Sequence, residues 1–154
     1  MKPDDSDFLE VVGATPLVSI DLIVRDGEGR MLVGMRRNEP AKGTWFVPGG
    51  RIRKDETLAR ALARISEWEL GVPLHANDVR FAGVFEHFYA TNFAEVDGVS
   101  THYVVLAYIV KRAFNRDDLP AVQHSEWAWL SHPPMEKVHP NTLAYLAVTE
   151  AEST

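Results

Sequence analysis

The sequence predicts a mixed α+β fold, and three observations carry the prediction. Residues 16–24, 79–89 and 101–110 are rich in β-branched, aliphatic and aromatic side chains and read as strands. Residues 57–70 repeat their apolar positions at three- and four-residue steps, the period of a helix. Gly and Pro clusters fall where one pattern gives way to the next. Strands, helix, strands, helix is the order of an α+β architecture. A length of 154 residues suits one domain, 1–154, around one core.

Taken in order, residues 1–7 are polar and are expected to be loose, with Phe8 and Leu9 apolar enough to dock. Residues 16–24 (PLVSIDLIV) form the first strand, 25–30 a turn, and 31–35 the returning strand. A loop at 38–44 precedes a short buried strand at 45–47, stopped by Pro48-Gly49-Gly50. The helix at 57–70 carries Leu58, Ala61, Leu62, Ile65 and Trp68, and Gly71 sits where a helix is expected to end. Strands at 79–89 and 101–110 flank a loop containing Asp97-Gly98. A second loop at 114–124 leads to a short strand at 127–130 and a closing helix at 141–148.

Hydrophobic content of 45% and charged content of 25% are ordinary for a soluble globular protein. Without cysteine there are no disulfides and no thiolate metal sites, which fits a reducing, cytoplasmic setting. No apolar run is long enough for a membrane span, and no basic-then-apolar leader is expected. The net charge of −6 offers no global field for nucleic acid. An anionic ligand would therefore need local arginines, a metal, or both.

The chemistry-bearing residues lie around the helix. Gly50, Glu56, Arg64, Glu69, Gly71 and Val72 fall at the spacing of a Nudix box, whose pattern is Gly, five residues, Glu, seven residues, then Arg-Glu-U-x-Glu-Glu-x-Gly-U with U aliphatic. The stretch resembles that box with two acids missing: Ile65 and Trp68 stand where glutamates belong, and Ser66 fills an aliphatic slot. Positions 65, 68 and 69 share a helix face at about 100° per residue. Glu69 is thus the remaining carboxylate there, and Glu67 lies about 200° round from it. One carboxylate can hold one Mg²⁺ when backbone carbonyls, other side chains and substrate phosphates complete the shell. The Gly49-Gly50 turn supplies an unobstructed carbonyl.

Judged by periodicity alone, Leu58, Leu62, Ile65 and Trp68 are a core stripe with Glu69 a solvated residue at its edge. The spacing from Gly50 to Gly71, behind a Pro-Gly-Gly turn, favours the box. Arg36 ends a strand beside the expected site and Arg51 follows the glycines, so both are candidate diphosphate contacts. Arg53 and Arg60 read as surface residues.

The resemblance extends beyond the box. Residues 15–21 (TPLVSID), 45–51 (WFVPGGR), 54–58 (KDETL), 69–71 (ELG), 87–89 (HFY), 101–106 (THYVVL) and Gln123-His124 are similar to the GDP-mannose mannosyl hydrolases, from about residue 7 to about 145. That subfamily's own pattern lacks the same acids. The likeness implies a Nudix α/β/α sandwich with a mixed sheet between helices. It also implies a homodimer, one Mg²⁺ per subunit (replaceable by Mn²⁺), and a GDP-sugar substrate cleaved by water at the anomeric carbon with inversion.

Carried over residue by residue, the resemblance implies that Gly50 (by its carbonyl), Glu69 and Gln123 bind the metal and that His124 is the general base. Arg36, Arg51, Arg64 and Tyr103 would stabilise the departing diphosphate. Asp21, His87 and Tyr89 would sit near substrate, while Asp7 and Phe8 match an N-terminal segment that crosses the dimer interface. Gly13, Ala14, Ser66, Glu67 and Trp68 depart from that subfamily, as do the 114–120 loop and the C-terminal tail. Two rival readings remain open: an ordinary Nudix pyrophosphatase cutting the P–O–P bridge, and a non-catalytic nucleotide-sugar sensor. The missing acids speak against the first, and the joint presence of Glu69, Gln123 and His124 against the second.

Overall fold

The computed structural model describes residues 4–120, 124–131 and 137–148. Among the described residues, seven strands and three α-helices follow the order α1 (Asp5–Ala14), β1 (Leu17–Ile23), β2 (Met31–Arg36), β3 (Trp45–Phe46), β4 (Gly49–Arg51), α2 (Leu58–Leu70), β5 (Val79–Tyr89), β6 (Thr101–Val110), β7 (His124–Leu130) and α3 (Pro140–Leu143). A four-stranded mixed sheet has the order β4-β1-β6-β5, in which β1 and β6 run parallel and the other neighbours antiparallel. A three-stranded antiparallel sheet has the order β3-β2-β7.

Side-chain alternation along these strands feeds two cores. Ile20, Leu22, Val24 and Leu32 pack with Ala61, Leu62, Ile65 and Leu70 of α2. Ile23, Met31, Val33, Ala107 and Ile109 pack on the opposite side with Tyr145. Sheets buried between helical layers are the expected sandwich.

Helix α2 shows how sequence sets the site. Thr57 caps it, its side chain accepting from Arg60 N–H, and Gly71 ends it in the left-handed conformation at φ 84°. The buried residues are Ala61, Leu62, Ile65, Ser66, Glu69 and Leu70, so the inward face includes two polar side chains. Ser66 is satisfied there, donating to Leu62 O (2.6 Å) and accepting from Leu74 N–H (2.7 Å). Leu58 and Trp68, expected in the core stripe, are instead 51% and 54% exposed. The periodicity had the right period but too wide an apolar arc.

The N-terminal segment also departs from expectation. Residues 5–7 are not loose but form the first turn of α1. Asp4 caps that turn by accepting from Asp7 N–H, and Asp5 and Asp7 lie at the end of the helix where the dipole favours negative charge. Gly49 and Gly50, expected to stop a strand, make strand β4 against β1. The last strand begins at His124 rather than 127, and the closing helix is a single α turn followed by a 3₁₀ turn at Ala144–Ala147.

Candidate active site

A cleft opens where β4 lies between the C-terminal half of α2 and the inner strands. Its outer part is lined by Arg36, Gly49, Gly50, Arg51, Arg53, Arg64, Ile65, Glu67, Trp68 and Glu69. An inner chamber is lined by Asp21, His87, Tyr89, Tyr103, Ser19 and Phe46, and shares Arg36, Gly49, Gly50 and Arg51 with the outer part. The two spaces therefore meet at two arginines and a glycine pair.

Glycine at 49 is required by close approach. A Cβ there would run into Asp21 Oδ1 and lie 2.5 Å from Ile20 O. This contact lets β4 sit against β1 with Asp21 opposite Gly49 and Ile20 opposite Gly50. Glu69 reaches the same place from α2: it is 4% exposed, and its Oε1 accepts from Gly49 N–H at 3.3 Å. Gly50 rests on the Ile65 side chain, 3.1 Å from where a Cβ would stand.

The arginines have different attachments. Arg64 is tied down: its Nε and Nη2 donate to the two carboxylate oxygens of Glu56 (2.7 and 2.8 Å), and Nη2 also donates to Arg51 O (2.8 Å). Arg64 thus fixes the loop after β4 while still lining the outer cleft. Arg51 lies beneath the Phe8 ring, its guanidinium carbon 4.2 Å from the centroid, a cation–π distance. Phe8 itself packs on Phe93, with centroids 4.9 Å apart. Arg36 is held by carbonyl oxygens, its Nε donating to Pro40 O (3.3 Å) and its Nη2 to Asn38 O (3.4 Å).

In the inner chamber a buried carboxylate meets a phenol and an imidazole. Tyr145, fully buried, donates its hydroxyl to Asp21 Oδ2 at 2.6 Å, and the Tyr145 hydroxyl oxygen lies 3.4 Å from His87 Nε2. His87 Nδ1 is 4.0 Å from Asp21 Oδ2. Burial pushes the Asp21 carboxyl up to about 7; the Tyr145 hydrogen bond and Arg36 oppose the rise and Glu69 adds to it. Burial, with His139 nearby, pulls His87 down to about 4, so the ring is neutral at pH 7. Tyr103 lies opposite His87 in the β5–β6 ladder, and Tyr89 stands edge-on to it at 6.4 Å. Burial raises the pKa of both phenols.

The structure thus gathers Asp21, Arg36, Gly50, Arg51, Arg64, Glu69, His87, Tyr89 and Tyr103 around one cleft. Phe8 reaches it through Arg51, whereas Asp7 is exposed on α1 and is not among the lining residues. Gln123 lies outside the described residues. Of His124 the backbone is described, paired with Arg36 across the β2–β7 ladder and so beside the cleft. Sequence reasoning missed Tyr145, because no local signal marks a contact that spans 124 positions.

Among the described residues no group of three or more His, Asp or Glu could hold a metal ion. What the cleft does offer is hard oxygen chemistry: a buried carboxylate at Glu69 beside the Gly50 backbone, next to a second buried carboxyl at Asp21. That set suits one hard divalent cation whose remaining positions are filled by carbonyls, a side-chain amide or phosphate oxygens.

The chain is 44% identical to the low-salt glycan biosynthesis protein Agl8 of Haloferax volcanii over 146 residues, covering 94% of this chain and 88% of that protein. Its fold matches the MutT protein of Methanosarcina mazei Go1, with a TM-score of 0.64 and 21% identity over 86% of this chain and 92% of that one. It also matches a MutT NUDIX hydrolase of Burkholderia pseudomallei, with a TM-score of 0.61 and 24% identity over 86% and 96% of the two chains. The NUDIX domain model matches residues 15–146, from just before β1 to the turn that carries Tyr145, and the chain belongs to the Nudix hydrolase family.

Proposed function

We propose that this protein hydrolyses GDP-mannose, or a close relative such as GDP-glucose, to GDP and free sugar by attack of water at the anomeric carbon with inversion. The observation that carries the reading is the division of the cleft at Arg36 and Arg51. On one side lies a cationic channel with a single buried glutamate, and on the other a chamber lined by Asp21, His87, Tyr89 and Tyr103. Arginine forks suit a diphosphate, and clustered carboxyl, imidazole and phenol groups suit sugar hydroxyls. A relative named for glycan biosynthesis supports a sugar-linked substrate.

Attack at carbon gives a transition state in which the sugar gains positive and the leaving diphosphate negative charge. Arg36 and Arg51 stabilise the negative charge as it develops, with Arg64 holding the loop that carries Arg51. A divalent cation, Mg²⁺ or Mn²⁺, held by Glu69 with the Gly50 carbonyl and Gln123 would add charge neutralisation on the same diphosphate. Asp21 and neutral His87 orient the sugar. His124, whose backbone faces Arg36 across the ladder, takes the proton from the attacking water. Asp7, exposed at the start of α1, is free to reach a second subunit of a homodimer.

The test is ³¹P NMR of GDP-mannose turned over with Mg²⁺ in ¹⁸O-labelled water. GDP as the sole phosphorus product, with the label in mannose, supports the reading. GMP with mannose 1-phosphate means pyrophosphatase chemistry, and label in GDP means attack at phosphorus; either overturns it. His124→Ala is expected to lower turnover by roughly 10²–10⁴-fold with Mg²⁺ binding retained. Unchanged turnover would remove His124 from the mechanism.

A further inference from the structure

Trp68 is the largest side chain left uncovered on α2. The residue is 54% exposed and forms part of the outer wall of the cleft. It lies one turn beyond Arg64 and Ile65 on the same side of the helix, as the i, i+3 and i, i+4 relations require. The core takes Ala61, Leu62, Ile65, Ser66, Glu69 and Leu70 from α2, so Trp68 adds nothing to the packing of helix on sheet. Among the described residues it has no ring or cation partner. A large flat apolar group left open beside a cationic channel is a recognition surface more readily than a packing element.

The two spaces of the cleft differ in what they can receive. The inner chamber is small, about 80 Å³ against about 660 Å³ for the outer part, and its lining is rich in hydrogen-bonding groups. The outer part has Trp68 as its one exposed aromatic wall, and Arg36 and Arg51 belong to both. A ligand with phosphates at that junction and a sugar inside must direct its remaining group outward along α2. We propose that Trp68 is a stacking platform for the nucleobase of a nucleoside diphosphate whose phosphates lie at Arg36 and Arg51. This rests on the proposed function for the placing of the sugar, and it adds a subsite for the base.

The test is isothermal titration, with Mg²⁺ present, of GDP, ADP, UDP and inorganic pyrophosphate into the wild-type protein, Trp68→Ala and Trp68→Phe. Base–aromatic stacking predicts that the preferred nucleoside diphosphate binds Trp68→Ala about tenfold more weakly, with Trp68→Phe recovering most of the loss. Pyrophosphate, which has no base, binds all three alike. In the wild-type protein the nucleotide also perturbs Trp68 emission, a signal absent in Trp68→Phe. Equal weakening of nucleotide and pyrophosphate, unchanged nucleotide affinity in Trp68→Ala, or no preference of the wild type for any nucleoside diphosphate over pyrophosphate would overturn the subsite. A Trp68-dependent preference for ADP or UDP leaves the platform standing and removes GDP-mannose as substrate. GDP-mannose turnover with Trp68-independent GDP binding does the reverse.

Discussion

Two acids on either side of strand β4 meet opposite fates. Glu56 lies in the loop before α2 with both carboxylate oxygens on Arg64 and a further bond from Arg53 N–H. Arg64 and these bonds hold it down at about 2. Asp21 lies in β1, deeper, with a phenol as its hydrogen-bond partner and another carboxylate, Glu69, nearby; burial pushes it up to about 7. The environments differ in what compensates the loss of water. A guanidinium fork does so fully, and a neutral hydroxyl does so in part. A paired acid is a brace for the loop, whereas a buried acid poised near neutrality is what a working site contains.

Neutralising each acid in turn should separate the two roles most strongly. Asp21→Asn is expected to lower turnover of the proposed GDP-sugar substrate by about 100-fold, the loss of one hydrogen bond to a charged group in the transition state. Its effect on stability at pH 8 should be near zero or favourable, because a buried charge is removed. Glu56→Gln is expected to cost about 2 kcal/mol in urea unfolding, because Arg64 loses its partner while partly buried. A stability loss in Asp21→Asn as large as that in Glu56→Gln would mean that both acids are braces.

A smaller effect sharpens the contrast through pH. Glu56 has a lowered pKa, so its contribution is present above its usual value of 4.5 and is lost as pH falls toward about 2. Asp21 has a raised pKa, so its contribution is full below 3.8 and is lost as pH rises through about 7. In EDTA, wild-type stability should therefore fall between pH 6 and 8 by an amount that Asp21→Asn abolishes and Glu56→Gln leaves in place. Parallel pH profiles for wild type and Asp21→Asn would refute the assignment.

Much of this arrangement was legible in the sequence. The limits of β5 and β6 followed from stretches rich in β-branched, aliphatic and aromatic residues, and Gly71 marked the end of α2 because a left-handed residue was needed there. Glu69, Gly50 and the arginines fell together because the spacing of the motif is a statement about one helix face and one turn. What failed was amplitude and distance. Helix α1 was hidden because its polar start reads as loose chain until Asp4 is seen as a cap, and Val12 is its only buried residue. Trp68 and Leu58 have the right period for a core, yet the residues α2 buries are Ala61, Leu62, Ile65, Ser66, Glu69 and Leu70, and these two stay more than half exposed. The chemistry around Asp21 needs Tyr145, which sits at the far end of the chain.

Tyr145 supplies the finest difference between the two acids, the single hydroxyl that Asp21 accepts from. The turn carrying it is anchored from outside, with Arg25 Nη2 donating to Tyr145 O (3.2 Å) and Val148 O (2.6 Å), so Tyr145→Phe should keep the ring in place. The ring stays packed edge-on to Phe85, 4.8 Å between centroids, and only the hydroxyl is lost. That hydroxyl donates to Asp21, so it favours the ionised acid and its removal raises the Asp21 pKa further. The expected cost is about 1 kcal/mol at pH 8.5, where the carboxylate loses its donor, and less at pH 5, where the acid is protonated and can itself donate. Unfolding of the variant at the two pH values decides the point. An equal cost at both would mean that the phenol serves packing alone, and that burial with Arg36 and Glu69 sets Asp21 without it.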